Sequence, residues 1–358
     1  MNNELMTAIE QKIPKDKIPE MLYDYLRLGV PADLYRINIK RISNMFNIPL
    51  KDLVTLFLRL VQSEIFNLNW DYHCPHCKAI PGSKHRLAEM NSNDFCPLCD
   101  VTFRNTLDEN IEVTFTVSPN IMTLPPSVEE DFKNAMFSAA KGGNFYMPVN
   151  FLSGLEFISN PLFHEIFEDD VLPIDESLEI KSAAILFTDI KGSTQMYTDL
   201  GDAASYKIVK EHYKILFRKT EENNGFVVKT IGDAVMSSFI SVEDAIKAAV
   251  EAHKEFKQRE WNPLSSLEVK MGIHTGSVIV VNLNDAIDYF GNTVNTAARI
   301  EGESYRHSIC FSKPVLDAKG VKSYLKKLQN HENAKITHRI VSLKRISEVA
   351  DLYTLTVA

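Results

Sequence analysis

The stretch that most constrains the fold of this chain is Leu186-Phe187-Thr188-Asp189-Ile190-Lys191-Gly192-Ser193-Thr194, echoed by Lys229-Thr230-Ile231-Gly232-Asp233. An apolar run ends in a carboxylate, and the turn at Lys191, Gly192, Ser193 and Thr194 can offer backbone N–H groups to phosphate oxygens. A single Asp at a strand end is commonly a turn former. Two of them, each closing a strand, fit a site for phosphate and metal. The pattern around them is regular. Residues 183–190 read as a strand, 203–222 as a helix, 225–228 as a second strand, 234–240 as a third, 242–256 as a helix opened by Ser241, and Val269 starts a fourth strand. Strand-helix-strand-strand-helix-strand is the ferredoxin-like split βαββαβ unit, so the expected class is α+β.

With 358 residues the chain has room for two domains. A formal net charge of −8 and a pI near 5.7 argue against nucleic-acid or membrane-surface binding, which calls for a basic face. Residues 1–5 lack the basic, then apolar, pattern of a signal peptide, and the apolar run 53–66 is interrupted by Arg59, Gln62 and Glu64. No membrane span and a cytoplasmic location are therefore expected.

The first half, residues 1–178, reads as an accessory domain. Residues 37–46 and the run after Pro49 form two helices, and Leu68-Asn69-Trp70-Asp71-Tyr72 follows as a strand, outlining a winged-helix-like segment over 1–72. Its candidate recognition helix carries only Lys51 and Arg59 as bases, too few for phosphate-dominated DNA binding. A structural or partner-binding role suits it better. Cys74-Pro75-His76-Cys77 and Cys96-Pro97-Leu98-Cys99 have the spacing of a zinc ribbon, over about 73–117, with one structural Zn²⁺ held by Cys74, Cys77, Cys96 and Cys99. Four thiolates leave no open position for catalysis. His73 and His76 read as bystanders, Cys310 as a small buried residue. Residues 111–117 alternate as a strand, residues 118–177 read as loops and short strands, and an acidic junction runs to 178.

Residues 179–358 resemble the catalytic domain of class III nucleotidyl cyclases. The resemblance rests on Phe187-Thr188-Asp189-Ile190, on Lys229-Thr230-Ile231-Gly232-Asp233, and on Asp288-Tyr289-Phe290-Gly291-Asn292-Thr293-Val294-Asn295-Thr296-Ala297-Ala298-Arg299, in the family order. The first half is similar to an accessory domain found ahead of some bacterial members. The resemblance implies two Mg²⁺ or Mn²⁺ ions per site, held by Asp189, Asp233 and the Ile190 carbonyl. It implies base selection by Lys229 and Asp288, ribose positioning by Asn295 and transition-state stabilisation by Arg299. A Lys donor and an Asp acceptor match the edge of adenine, so ATP is the expected substrate and cyclic AMP and pyrophosphate the products. Lys344 resembles a phosphate-binding Lys, although Arg345 stands where Gly is common, and Ser277 replaces a basic residue found in some members. The family geometry implies a head-to-tail homodimer with shared sites, the first half serving as a regulatory module for an unidentified protein or ligand. The alternatives are a cyclase for GTP or a pyrimidine nucleotide, or a catalytically weak cyclase-like sensor in a DNA- or protein-binding regulator.

Overall fold

A computed structural model describes residues 2–141, 151–261, 264, 266–284, 286–305, 308–343 and 349–357. The chain divides into two compact units: residues 1–180 with 281–287, and residues 181–280 with 288–358.

The first unit opens with helices α1 (Asn3–Lys12), α2 (Glu20–Leu28), α3 (Ile39–Phe46) and α4 (Leu50–Gln62). Asn38 caps α3 by accepting from the Arg41 N–H, and Asn47 ends it in the left-handed conformation, so the chain reverses before Pro49. Strand β1 (Phe66–Tyr72) then pairs with β2 (Gly82–Lys84) on one side. Two more strands, β3 (Asn93–Cys96) and β4 (Val101–Arg104), form a hairpin of their own, and β5 (Ile111–Val117) returns to pair antiparallel with β1 along its whole length. The strand that reads as a wing is thus the centre of a sheet closed from beyond the cysteines. Within the first unit the ribbon is therefore an insertion between two partnered strands. One sheet face meets α4, where the Phe57 ring lies 4.8 Å from Phe115 and 5.4 Å from Phe66.

The region 118–177 departs from its reading as loops and short strands. It holds α5 (Pro126–Lys141), α6 (Gly154–Ile158) and α7 (Pro161–Ile166). Pro126 and Pro161 each open a helix, where a missing N–H costs nothing, and Ser153 and Glu156 form a capping box. Proline marks the starts of these helices rather than loops. The Gly142-Gly143 pair lies outside the described residues.

Strand β6 (Ser177–Ile190) leads into the second unit. It is followed by α8 (Ser193–Leu200), α9 (Asp202–Glu222), β7 (Gly225–Ile231), β8 (Ala234–Phe239), α10 (Val242–Gln258), β9 (Val269–Leu283), β10 (Ala286–Phe290), α11 (Asn292–Gly302) and β11 (Ser308–Ser312). Helices α12 (Lys313–Asp317) and α13 (Val321–Glu332) and strands β12 (Lys335–Ser342) and β13 (Val349–Thr356) complete it. The sheet order is β12-β13-β11-β9-β6-β8-β7, with β10 on β9. Its β9-β6-β8-β7 part has the ferredoxin-like arrangement. Helices α9 and α10 bury Ile208, Ile215, Leu216, Ile246 and Phe256 in the same core as β6 and β8 residues. Strand β7 runs three residues beyond its expected end because a bulge between Val227 and Lys229 lets pairing continue to the turn. Among the described residues no helix is long and apolar enough to cross a membrane.

Candidate active site

Asp189 lies near the end of β6, and the antiparallel register that sets Thr188 opposite Val235 brings the β7–β8 turn beside it. Gly232 takes φ +63° in that turn, a conformation that suits glycine, and delivers Asp233 so that its Oδ2 accepts from the Ile190 N–H at 3.2 Å. The Tyr213 hydroxyl donates to the Gly232 carbonyl and holds the turn. Burial, and then the negative charge of Asp233, push the Asp189 carboxyl above its usual range.

Two residues absent from the sequence reading complete the cluster. Lys270 of β9 sets its Nζ 3.7 Å from Asp189 Oδ2 and 3.6 Å from Glu301 Oε1. Burial raises the Glu301 carboxyl to about 7, Lys270 opposes this, and Asp189 adds to it. The approach depends on Gly272, where a Cβ would lie 2.1 Å from the Glu301 backbone nitrogen. Two carboxylates thus face one ammonium, and Asp233 adds its charge to both. Such an excess of oxygen ligands fits hard divalent cations such as Mg²⁺ or Mn²⁺.

A second cluster stands apart from the first. Lys229 of β7 donates to Asp288 Oδ2 of β10 at 2.6 Å, while Asp288 Oδ1 accepts from the Tyr289 N–H at 2.7 Å. Asp288 is buried, the Lys229 side chain remains one-third exposed at 33%, and its ammonium lies 5.8 Å from the centre of the Phe290 ring. Both groups keep hydrogen-bonding capacity for a ligand. Gly291, at φ +136°, starts α11, which presents Asn295 exposed and Arg299 half-buried. Among the described residues the Arg299 guanidinium has no ion-pair partner. Glu301 is two positions on, about 200° around the helix, and joins the other cluster. Among the described residues no hydrogen bond or ion pair connects the Asp189 cluster to the Lys229–Asp288 pair.

The remaining sequence candidates are placed as follows. Gly192 has φ +73° and Ser193 begins α8, so the expected turn is tighter and ends in a helix N-terminus. The Lys191 ammonium pairs with Glu268 at 2.8 Å. Lys344 and Arg345 lie outside the described residues. His274 hydrogen-bonds Ser312 at 2.7 Å, and burial depresses it to about 4. Cys310 is fully buried.

In the first unit the sulfur atoms of Cys74, Cys77, Cys96 and Cys99 all lie within 4.8 Å of one another. Separations of 3.9 Å for Cys74–Cys99 and 3.6 Å for Cys77–Cys96 bracket the edge, about 3.8 Å, of a tetrahedron with Zn–S of about 2.3 Å. The two knuckles match: the residue after each second cysteine, Lys78 and Asp100, is left-handed. The four thiols fit zinc. His73 stands outside the set, held by Glu112 at 2.8 Å.

Residues 176–340 match the adenylate and guanylate cyclase catalytic domain family. The carboxy-terminal half is thus matched to the class III cyclase catalytic domain. Residues 2–181, half of the chain, match DUF5939, a family of unknown function, and the chain belongs to that family. Similar relatives include an adenylate cyclase of Mycosarcoma maydis, 33% identical over 159 residues, covering 38% of this chain and 6% of that protein. An adenylate cyclase of Anabaena cylindrica is 31% identical over 162 residues, covering 39% of this chain and 32% of that protein. The chain thus spans a third or less of the length of these relatives. A solved adenylate cyclase of Trypanosoma brucei is 20% identical, covering 49% of this chain and 89% of that one at a TM-score of 0.44.

Proposed function

We propose that this class III cyclase is a cytoplasmic adenylate cyclase that converts ATP to 3′,5′-cyclic AMP and pyrophosphate at two equivalent sites shared across a head-to-tail homodimer. The observation that supports the reading is the presence in one chain of a carboxylate-rich cluster and a donor–acceptor pair, between which no hydrogen bond or ion pair runs among the described residues. In the reaction the ribose 3′ oxygen bonds to the α-phosphorus, the α–β phosphoanhydride bond breaks, and the 3′ hydroxyl proton leaves to solvent.

Asp189, Asp233 and the Ile190 carbonyl would hold two Mg²⁺ or Mn²⁺ ions, which activate the attacking oxygen and neutralise the leaving pyrophosphate. From the other protomer, Lys229 donates to adenine N1 and Asp288 accepts from its exocyclic amine. Guanine presents the reverse pattern and would leave both groups unpaired. Asn295 positions the ribose. The Arg299 guanidinium meets charge on the α-phosphate, where a planar fork suits non-bridging oxygens. The Lys191 N–H is taken by the Glu268 carbonyl at 2.9 Å, which leaves the backbone N–H groups at Gly192, Ser193 and Thr194 for the triphosphate, with Lys344 a further phosphate contact. Zn²⁺ on the four cysteines is structural.

The direct test incubates the full chain with ATP, GTP, CTP or UTP and Mn²⁺ and identifies products by mass. Cyclic AMP is expected; a different cyclic nucleotide overturns the substrate assignment, and no product overturns the reading. Equal mixtures of Asp189→Ala and Arg299→Ala chains test the shared site. Random pairing should restore about a quarter of wild-type activity, since half the dimers carry one intact site of two. Mixtures that form heterodimers yet stay inactive would remove the homodimer from the proposal.

A further inference from the structure

Lys270 has no part in the proposed reaction, yet its ammonium stands beside the carboxylate that opens the site. Along β9, Val269, Met271 and Ile273 turn into the core, and strand alternation puts Lys270 and Gly272 on the opposite face. Gly272 lets α11 close onto that face: a Cβ there would lie 2.1 Å from the Glu301 backbone nitrogen and 2.4 Å from its Cα. Glu301 is thereby packed beside Lys270. Its side chain is 15% exposed, against 30% for Asp189, so Glu301 is the drier of the two carboxylates that the ammonium faces.

The ammonium is committed to neither of them. It lies 3.7 Å from Asp189 Oδ2 and 3.6 Å from Glu301 Oε1, both beyond the roughly 2.7–2.9 Å of a charge-assisted hydrogen bond. Among the described residues Glu301 Oε1 accepts no hydrogen bond, although it is shut off from solvent. A buried acceptor left open is destabilising, and a donor that reaches it removes the penalty. Lys270 is a donor in reach: a swing of about 1 Å toward Glu301 closes the bond. The same swing takes its charge away from Asp189. A flexible four-carbon stem makes such a move without disturbing the backbone. Lys270 thus has two seats. Near Asp189 it offsets the charge of that carboxylate, and on Glu301 it leaves Asp189 to another cation.

We propose that Lys270 is the resident counter-ion of the Asp189 site and that it gives up Asp189 to a divalent cation by moving onto Glu301. On the reading of Asp189 and Asp233 as ion ligands, on which this depends, Lys270 is a positioning residue that acts through Asp189. Mn²⁺ affinity of the full chain, measured at pH 8 without nucleotide from the electron paramagnetic resonance signal of free Mn²⁺, tests it. Asp189→Asn identifies the binding that belongs to the site. Lys270→Met keeps the length of the side chain and removes the competing charge, so Mn²⁺ should bind at least about fivefold tighter. A Lys270 that only braced Asp189 would give the opposite sign. Glu301→Gln takes away the anionic second seat and should weaken Mn²⁺ binding at least about fivefold; in the Lys270→Met background the same change should cost less than about twofold, because its effect runs through the ammonium. Should Lys270→Met fail to fold by circular dichroism, Lys270→Gln decides with the same expectations. No Mn²⁺ binding by the wild-type chain, or binding that survives Asp189→Asn, overturns the assignment of ions to Asp189 and this proposal together. Binding lost in Asp189→Asn but unchanged or weakened by Lys270→Met, or a Glu301→Gln loss above about twofold without the ammonium, overturns this proposal alone.

Discussion

Two charge clusters in this molecule, one buried and one half-buried, each centre on carboxylates and differ in compensation. Around Asp71 and Glu112 each carboxylate has its own nitrogen partner, Arg36 or His73, and the remaining contacts come from Thr114 and Asn38. Around Asp189, Asp233 and Glu301 there is one ammonium, Lys270, set 3.6–3.7 Å from two of the three carboxylates. The first arrangement is complete as folded. In the second, burial and mutual repulsion push carboxyl groups up, and the fold carries an electrostatic cost that a divalent cation would relieve. Uncompensated carboxylate is what separates a site for metal ions from a polar framework.

Opposite responses to neutralisation follow from that contrast. The largest effect is expected for Asp189→Asn, which should cut cyclase activity by at least ~10³-fold, measured as product formed under saturating Mn²⁺, while leaving the fold intact by circular dichroism. Retained activity would place the ions elsewhere. Asp71→Asn should act on stability instead: removing one partner of a buried pair leaves the Arg36 charge exposed to a dry interior and should cost ~3–5 kcal/mol in denaturant unfolding. A neutral result there would mean that the pair is no framework. Glu301→Gln should do the reverse. Its raised carboxyl binds more protons in the folded than in the unfolded state between about pH 4.5 and 7, so wild-type stability falls as pH rises through that window. The variant should flatten that fall and, in buffer without divalent ions, stabilise the protein above pH 7 by about 2 kcal/mol. Smallest is the specificity effect. Asp288→Asn should lower the preference for ATP over GTP by about tenfold in kcat/KM, because the amide can donate as well as accept.

Legibility in the sequence followed the range of the interactions. The cysteine knuckles, the strand that carries Asp189 near its end and the turn that carries Asp233 are short patterns, each readable from near neighbours. Helix α5 was hidden by Pro125-Pro126, which reads as a break until the second proline is seen to occupy the first helical position. Lys270 and Glu301 gave no local signal: one is a polar residue in an apolar strand, the other lies two positions beyond Arg299, and only the packing of α11 over Gly272 joins them. The Asp71–Glu112 face was equally silent. Its alternation is that of any half-exposed strand.

By itself the sequence determined the order of elements, the ferredoxin-like plan of the second half, the four-thiol set, and which polar residues end strands, because periodicity and turn chemistry act between near neighbours. The tertiary structure alone decided that the ribbon is an insertion within one sheet, that Lys270 and Glu301 join Asp189, and that Arg36 and His73 meet Asp71 and Glu112. Those outcomes depend on residues from different elements of the chain, where burial sets the strength of a charge and only packing decides what is buried.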